Sequence, residues 1–233
     1  RDIALISKRE YESWLLVPGF DFAYESKGLL EIFQTDAGGE HTRHTVEKAH
    51  ALGLADTKLL SHEELQALEP HTRINAKGAI HFNCDAHCYP NKLMHQLIEH
   101  LKAEGVKLLP NQEVIKFERA GNKITKVLTN NGVYEQDETV IATGSWGRET
   151  ARLLSLRIPL MPGRGYSVTL ENSAYRVNFP SVLVEGRAAI TPMDGNKIRF
   201  GGTMEITSHT TPPRMNRVQG ILDAVKRYYP DFD

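Results

Sequence analysis

The sequence predicts a mixed protein, α/β or α+β. Helix-period and strand-period apolar patterns alternate along the chain, with turn residues between them. Apolar residues make up 40% and charged residues 24%, which suits a globular chain and excludes disorder as its main state. Lys+Arg total 28 against 29 Asp+Glu, so the net charge is -1 and no electrostatic footprint for nucleic acid is present. No uninterrupted apolar run reaches transmembrane length, and Arg1 to Leu5 is too short and polar for a signal peptide. Two cysteines cannot make a disulfide framework in 233 residues, which points to a reducing, cytoplasmic setting. That length suits one large domain or two intertwined ones. The chain opens in mid-pattern at Arg1-Asp2-Ile3 without a Met and stops at Asp231-Phe232-Asp233, so a piece of a larger protein is expected.

Each element has a local reason. Ser7 is placed to cap a short helix through Trp14 and Leu15, and Pro18-Gly19 then breaks the chain. Gly28 to Thr35 reads as a strand. Thr42 to Leu52 and Ser61 to Leu68 read as helices, the second opened by a capping box at Ser61 and Glu64 and ended before Pro70. Asn91 is the expected N-cap of a helix with Leu93, Met94, Leu97, Ile98 and Leu101 on one face, closed by Gly105. Val106 to Leu109 reads as a short strand. A β-meander follows, Glu113 to Glu118 and Lys123 to Thr129, with turns at Gly121-Asn122 and Asn130-Asn131-Gly132. Glu138 to Ala142 reads as a buried strand. Gly165 to Leu170, Ser181 to Glu185, Ala188 to Thr191 and Lys197 to Phe200 are further strands, with a turn at Asp194-Gly195-Asn196. The last helix carries Val218, Ile221, Leu222, Val225, Tyr228 and Tyr229, and Pro230 ends it.

Few constellations carry chemistry. His81, Cys84, His87 and Cys88 could share a metal, but their spacing is no standard zinc pattern, so no metal is expected. Gly163-Arg164-Gly165 and Gly201-Gly202 sit among strand signals, where no helix N-terminus could receive a pyrophosphate. No complete G-x-G-x-x-G and no G-x-S-x-G elbow occurs. The 10 histidines are scattered and read as mostly solvated or structural. Val140-Ile141-Ala142-Thr143-Gly144-Ser145-Trp146 places small residues at a strand-to-helix junction, where a backbone can approach a flat or charged ligand; a plain structural corner is the alternative.

The order of these segments resembles the D-amino acid oxidase superfamily of FAD-dependent oxidoreductases, most of all its bacterial D-amino acid dehydrogenase and glycine oxidase-like branches. Four stretches carry the likeness: the helix after Pro90-Asn91, the meander with Val140 to Trp146, Pro159 to Ser167, and the Ala188 to Ile206 hairpin with its Gly-Gly pair. The resemblance implies a partial Rossmann-like FAD-binding domain interleaved with a substrate-binding β-sheet domain flanked by helices. Residues 85–147 would form the cofactor part, and 1–84 with 148–233 the substrate part. It implies cofactor contacts at Val114, Ala142, Thr143, Gly144 and Trp146. Arg164 and Tyr166 would reach the substrate cavity, with a salt-bridged Arg164 and a core Tyr166 as alternatives. The family's glycine-rich βαβ unit and its Gly-x-Arg-Pro segment do not occur in the chain, so weak or no FAD binding is expected of it alone.

The implied activity is oxidation of D-amino acids, or of glycine- or sarcosine-like amines, by hydride transfer to flavin. A 2-hydroxy acid or glycerol phosphate substrate is one alternative and a non-catalytic binding domain another. A phosphate substrate calls for convergent cations, for which Arg164 and Arg187 are the candidates from sequence. No catalytic residue is singled out. Quinone and oxygen both stay open as electron acceptor, and peripheral membrane association of the parent stays open beside the cytoplasmic setting.

Overall fold

The structure is a computed structural model and describes residues 2–232. Mixed α/β architecture is what it shows. The chain divides into two compact units: Arg1–Leu101 with Gly165–Thr203 and Arg214–Asp233, and Lys102–Arg164 with Met204–Pro213.

The first unit is built on a seven-stranded sheet of order β2-β3-β1-β8-β9-β10-β7. Its strands are β1 (Leu29–Phe33), β2 (Lys58–Ser61), β3 (Gly78–Phe82), β7 (Gly163–Leu170), β8 (Ser181–Leu183), β9 (Ala188–Met193) and β10 (Lys197–Ile206). β1 runs antiparallel to β3 and parallel to β8, with Ile32 opposite Ala79 and Leu183. Leu30, Ile32, Ile80, Leu183 and Ile190 are fully buried, and α6 (Met215–Tyr228) lays Ile221, Ala224, Val225 and Tyr228 into the same core. The i, i+3, i+4, i+7 spacing of those four residues is what makes one helix face apolar.

Local sequence explains where several elements start and stop. α3 (His62–Leu68) opens on the expected capping box: Glu64 N–H donates to Ser61 Oγ at 3.2 Å and Ser61 N–H to Glu64 Oε2 at 2.8 Å. The β9–β10 turn places Gly195 at φ 71°, a conformation that favours glycine. Helix α2 (Asp36–Ala51) starts at Asp36 rather than Thr42, and β1 ends at Phe33 rather than Thr35. Thr35 is the N-cap, its Oγ1 accepting from Gly38 N–H at 3.0 Å. A Cβ on Gly38 would collide with Glu185 Oε1, so this helix turn needs its glycine for the Glu185 carboxylate to sit there. Glu185 accepts from the Gln34 and Thr35 backbone N–H groups and from the hydroxyls of Thr35 and Tyr228. Burial would raise its pKa, but the donors, Tyr228 and Thr35 foremost, outweigh burial and lower it.

Other expectations are corrected. The first helix, α1 (Asp2–Trp14), needs no cap at Ser7, because nothing in Ile3-Ala4-Leu5 breaks helix and the turn extends back to Asp2. Pro90 rather than Asn91 opens α4 (Pro90–Ala103), since its ring pre-sets the φ of a first helical residue. Strands β2 and β3 were not read from the sequence.

The second unit holds the expected meander, β4 (Val114–Ala120), β5 (Lys123–Thr129) and β6 (Val133–Glu135), all antiparallel. Gly121 has φ 61° in the first turn, and Thr129 N–H donates to Gly132 O at 2.8 Å across the second. Val106 to Leu109 and Glu138 to Ala142 are not strands, and both are largely exposed. Neither has a hydrogen-bonded neighbour strand among the described residues, and an apolar run without one cannot become a buried strand. A 3-10 turn (Gly144–Trp146) then leads into helix α5 (Gly147–Arg152).

Candidate functional site

The second unit presents an uncovered apolar strip that ends in a stacked aromatic pair. Val140 is 87% exposed, and Ala142, Thr143 and Gly144 are exposed after it. Gly144 has φ 52° with no atom within 4 Å of where a Cβ would stand, so the backbone faces open space there. Thr143 O accepts from Trp146 N–H at 3.0 Å, which turns the chain sharply and lifts the Trp146 ring outward.

Trp146 meets a residue that the sequence did not mark. The His209 imidazole lies parallel to the indole, with ring centres 4.5 Å apart and planes 1° from parallel. His209 Nε2 is 3.2 Å from Ser145 O and donates to it in the Nε2–H tautomer. No local signal in Thr207-Ser208-His209-Thr210 announces this, because the partners lie 64 residues apart.

Arg164 closes a small recess beside the stack. Its Nη2 donates to Ser208 O and His209 O, each at 3.4 Å, and its Nη1 is 3.7 Å from the buried Glu205 carboxylate. Nη1 itself is buried and makes no hydrogen bond. The recess, about 150 Å³, is lined by Ser145, Pro162, Gly163, Arg164, Thr207, Ser208 and His209. One guanidinium thus fixes the segment that carries the stacking histidine.

The expected site residues divide accordingly. Ala142, Thr143, Gly144 and Trp146 form one continuous surface, and Trp146 and Arg164 come together at His209. Val114 stands at the start of β4 opposite Thr129. Tyr166 is buried in the core of the first unit, its hydroxyl accepting from Arg214 N–H at 2.9 Å. Arg187 stands at φ 49° on the turn before β9.

The cysteines and their neighbouring histidine lie elsewhere. Cys84, His87 and Cys88 line an apolar cavity of about 440 Å³ in the first unit, with Tyr11, Tyr24 and Leu54. Burial raises both thiol pKa values and lowers that of His87, and burial followed by the bond to Glu12 pushes the Tyr24 phenol up to about 12. These groups are therefore neutral near pH 7. His81 instead contacts Lys27 O and packs edge-on to Phe179. Among the described residues, no group of three His, Cys, Asp or Glu side chains could hold a metal ion. No helix of the described residues is long and apolar enough to cross a membrane.

Exposed apolar residues, a small-residue turn and a stacked ring thus lie together on the surface of the second unit. Those features fit the ring-bearing flank of a dinucleotide cofactor. The glycine fingerprint that receives a dinucleotide pyrophosphate at a strand-to-helix turn does not occur in this sequence.

Comparison with known proteins gives the family. Residues 2–233 match the model described as FAD dependent oxidoreductase, and the chain belongs to that family. It is 28% identical over 216 residues to the hydrogen cyanide synthase subunit HcnC of Pseudomonas aeruginosa, covering 92% of this chain and 51% of the relative. It is 31% identical over 157 residues to a D-amino acid dehydrogenase of Helicobacter pylori, covering 67% of this chain and 37% of the relative. Glycine oxidase from Geobacillus kaustophilus shares the fold at TM-score 0.84 and 19% identity, covering 97% of this chain and 60% of that one. The chain spans about half the length of the curated relatives it matches.

Proposed function

We propose that the chain is part of a flavoenzyme that oxidises the amine-bearing carbon of a D-amino acid, or of a small amine such as glycine or sarcosine. The observation that carries this reading is the uncovered strip from Val140 to Trp146, in a chain that matches the FAD dependent oxidoreductase family along its length. FAD, when bound, supplies the hydride acceptor for that oxidation. In this reading residues 85–147 form the cofactor part, and 1–84 with 148–233 the substrate part. Val114 contributes backbone on the adenosine side, and Ala142, Thr143 and Gly144 line the cofactor's length. Gly144 lets the ligand approach because no Cβ stands in the way. Trp146, held by His209, covers the ring side and excludes water.

On the substrate side, Arg164 holds the Ser208 and His209 carbonyls with Nη2. Its Nη1 is buried against the Glu205 carboxylate, so Arg164 serves the substrate side by fixing the Ser208–His209 segment. The resulting imine is released to water and hydrolyses to a 2-oxo acid, its nitrogen leaving as ammonia or, from an N-substituted substrate, as an amine, with quinone or oxygen taking the electrons onward.

The full-length protein tests this by dye reduction with D-amino acids, glycine and sarcosine, run beside a peroxide assay that separates an oxidase from a dehydrogenase. Turnover with any of these substrates supports the reading. Flavin-loaded protein without turnover across the panel contradicts it.

A further inference from the structure

Three arginines of one short segment converge on a concavity that shares no lining residue with the Arg164 recess. Arg148, Arg152 and Arg157 line it with Leu156 and Ile158, and its volume is about 500 Å³. Arg148 and Arg152 stand four residues apart on one face of α5, and Arg157 comes from the loop after it. All three are exposed. Among the described residues, the single polar contact of the Arg148 guanidinium is the Met161 sulfur at 3.9 Å. Those of Arg152 and Arg157 have neither a hydrogen bond nor an ion pair among the described residues. Glu149, the acidic residue of this segment, does not line the concavity.

This is not a by-product of a basic chain, since the net charge is -1. Like charges four apart on a helix repel, so the arrangement lacks internal compensation. A concavity whose charged groups are all guanidinium is complementary to an anion, and the planar fork matches phosphate oxygens in pairs. Leu156 and Ile158 add an apolar wall, which inorganic phosphate alone would not use. We propose that Arg148, Arg152 and Arg157 form a binding site for a phosphate-bearing organic ligand, with its apolar part against Leu156 and Ile158. This convergence of cations was not visible from the sequence, where Arg164 and Arg187 were the candidates.

Inorganic pyrophosphate is the probe, titrated calorimetrically into the 233-residue chain at low salt. One saturable site is expected. Arg152→Ala and Arg157→Ala should each weaken it about tenfold, the scale of a lost charge-assisted hydrogen bond. Arg152→Lys should lose less, because it keeps the charge but not the fork. These side chains have no polar partners among the described residues, so circular dichroism and melting should stay unchanged and separate binding loss from misfolding. Lys123→Ala, on the meander, should leave binding intact.

Sedimentation with phosphatidic acid vesicles, against phosphatidylcholine alone, identifies the source. Arginine-dependent sedimentation assigns a lipid headgroup. Its absence beside retained pyrophosphate binding assigns a soluble phosphate. The proposal is overturned by no saturable heat, by binding that the arginine variants leave unchanged, or by full displacement of pyrophosphate by FAD. The last result would assign the arginines to the cofactor.

Discussion

Two similar apolar runs end in opposite environments. Ala188-Ala189-Ile190 forms the start of β9, and Ile190 is fully buried between two neighbouring strands and under α6. Val140-Ile141-Ala142, equally apolar, lies uncovered in the second unit with Val140 at 87% exposure. The contrast holds for the units as wholes. The cluster around Leu30, Ile32, Leu183 and Phe200 belongs entirely to the first unit, whereas in the second the buried apolar residues described are Phe117, Ala151 and Leu154. Composition does not make this difference, because an apolar run buries itself only where another element supplies the opposing face. A surface left apolar in this way is where a ligand or a further element binds.

Mutation sharpens the contrast most at its two extremes. Ile190→Ala should cost about 2–5 kcal/mol, because it removes packed methyl groups from a closed core. Val140→Ala should stay within about 0.5 kcal/mol, because water already covers that side chain. Urea unfolding followed by fluorescence separates the units, since Trp14 lies in the first and Trp146 in the second. Equal costs for the two variants would break the comparison.

A pH effect should also belong to the first unit. Glu69 is fully buried at the end of α3, accepting from the backbone N–H groups of Asn178 and Phe179 at 2.7–2.9 Å. Burial outweighs those donors and raises its pKa from 4.5 to about 7. Between these values the folded protein holds a proton that the unfolded chain has released, so stability falls as pH rises through that window. The loss should be on the order of 1–3 kcal/mol, and Glu69→Gln should flatten it. A slope of the opposite sign, or one that survives Glu69→Gln, would refute the assignment.

Two smaller effects test the second unit. Gly144→Ala should cost about 1 kcal/mol through its positive φ, although there is room for the methyl group. Trp146→Ala should cost about 0.5–1.5 kcal/mol, the worth of a ring stack, seen as a shift in the His209 imidazole resonances by NMR. Unchanged resonances would remove the stack from the account.

Elements with local causes were legible in the sequence. The Ser61–Glu64 capping box, the glycine turns of the meander and the 3.6-residue spacing of α6 each follow from a few neighbouring residues. Short strands with distant partners were not. β2 has a single buried residue, Leu60, and exists because Ala79 lies opposite it. The expected strand at Glu138 to Ala142 failed in the converse way, since apolarity alone supplies no hydrogen-bond partner. In the site, the small-residue turn to Trp146 was readable from residue size. The parts of His209 and of the three arginines were not, because each depends on which segments meet in space.

The central claim is that the uncovered strip of the second unit is a cofactor surface. Hydrogen–deuterium exchange of the full-length protein with and without FAD tests it most directly. The account predicts protection concentrated at residues 138–146 and around Val114, while the core amides of β1, β3 and β9 exchange as before. Protection absent from residues 138–146, or confined to the first unit, would contradict it.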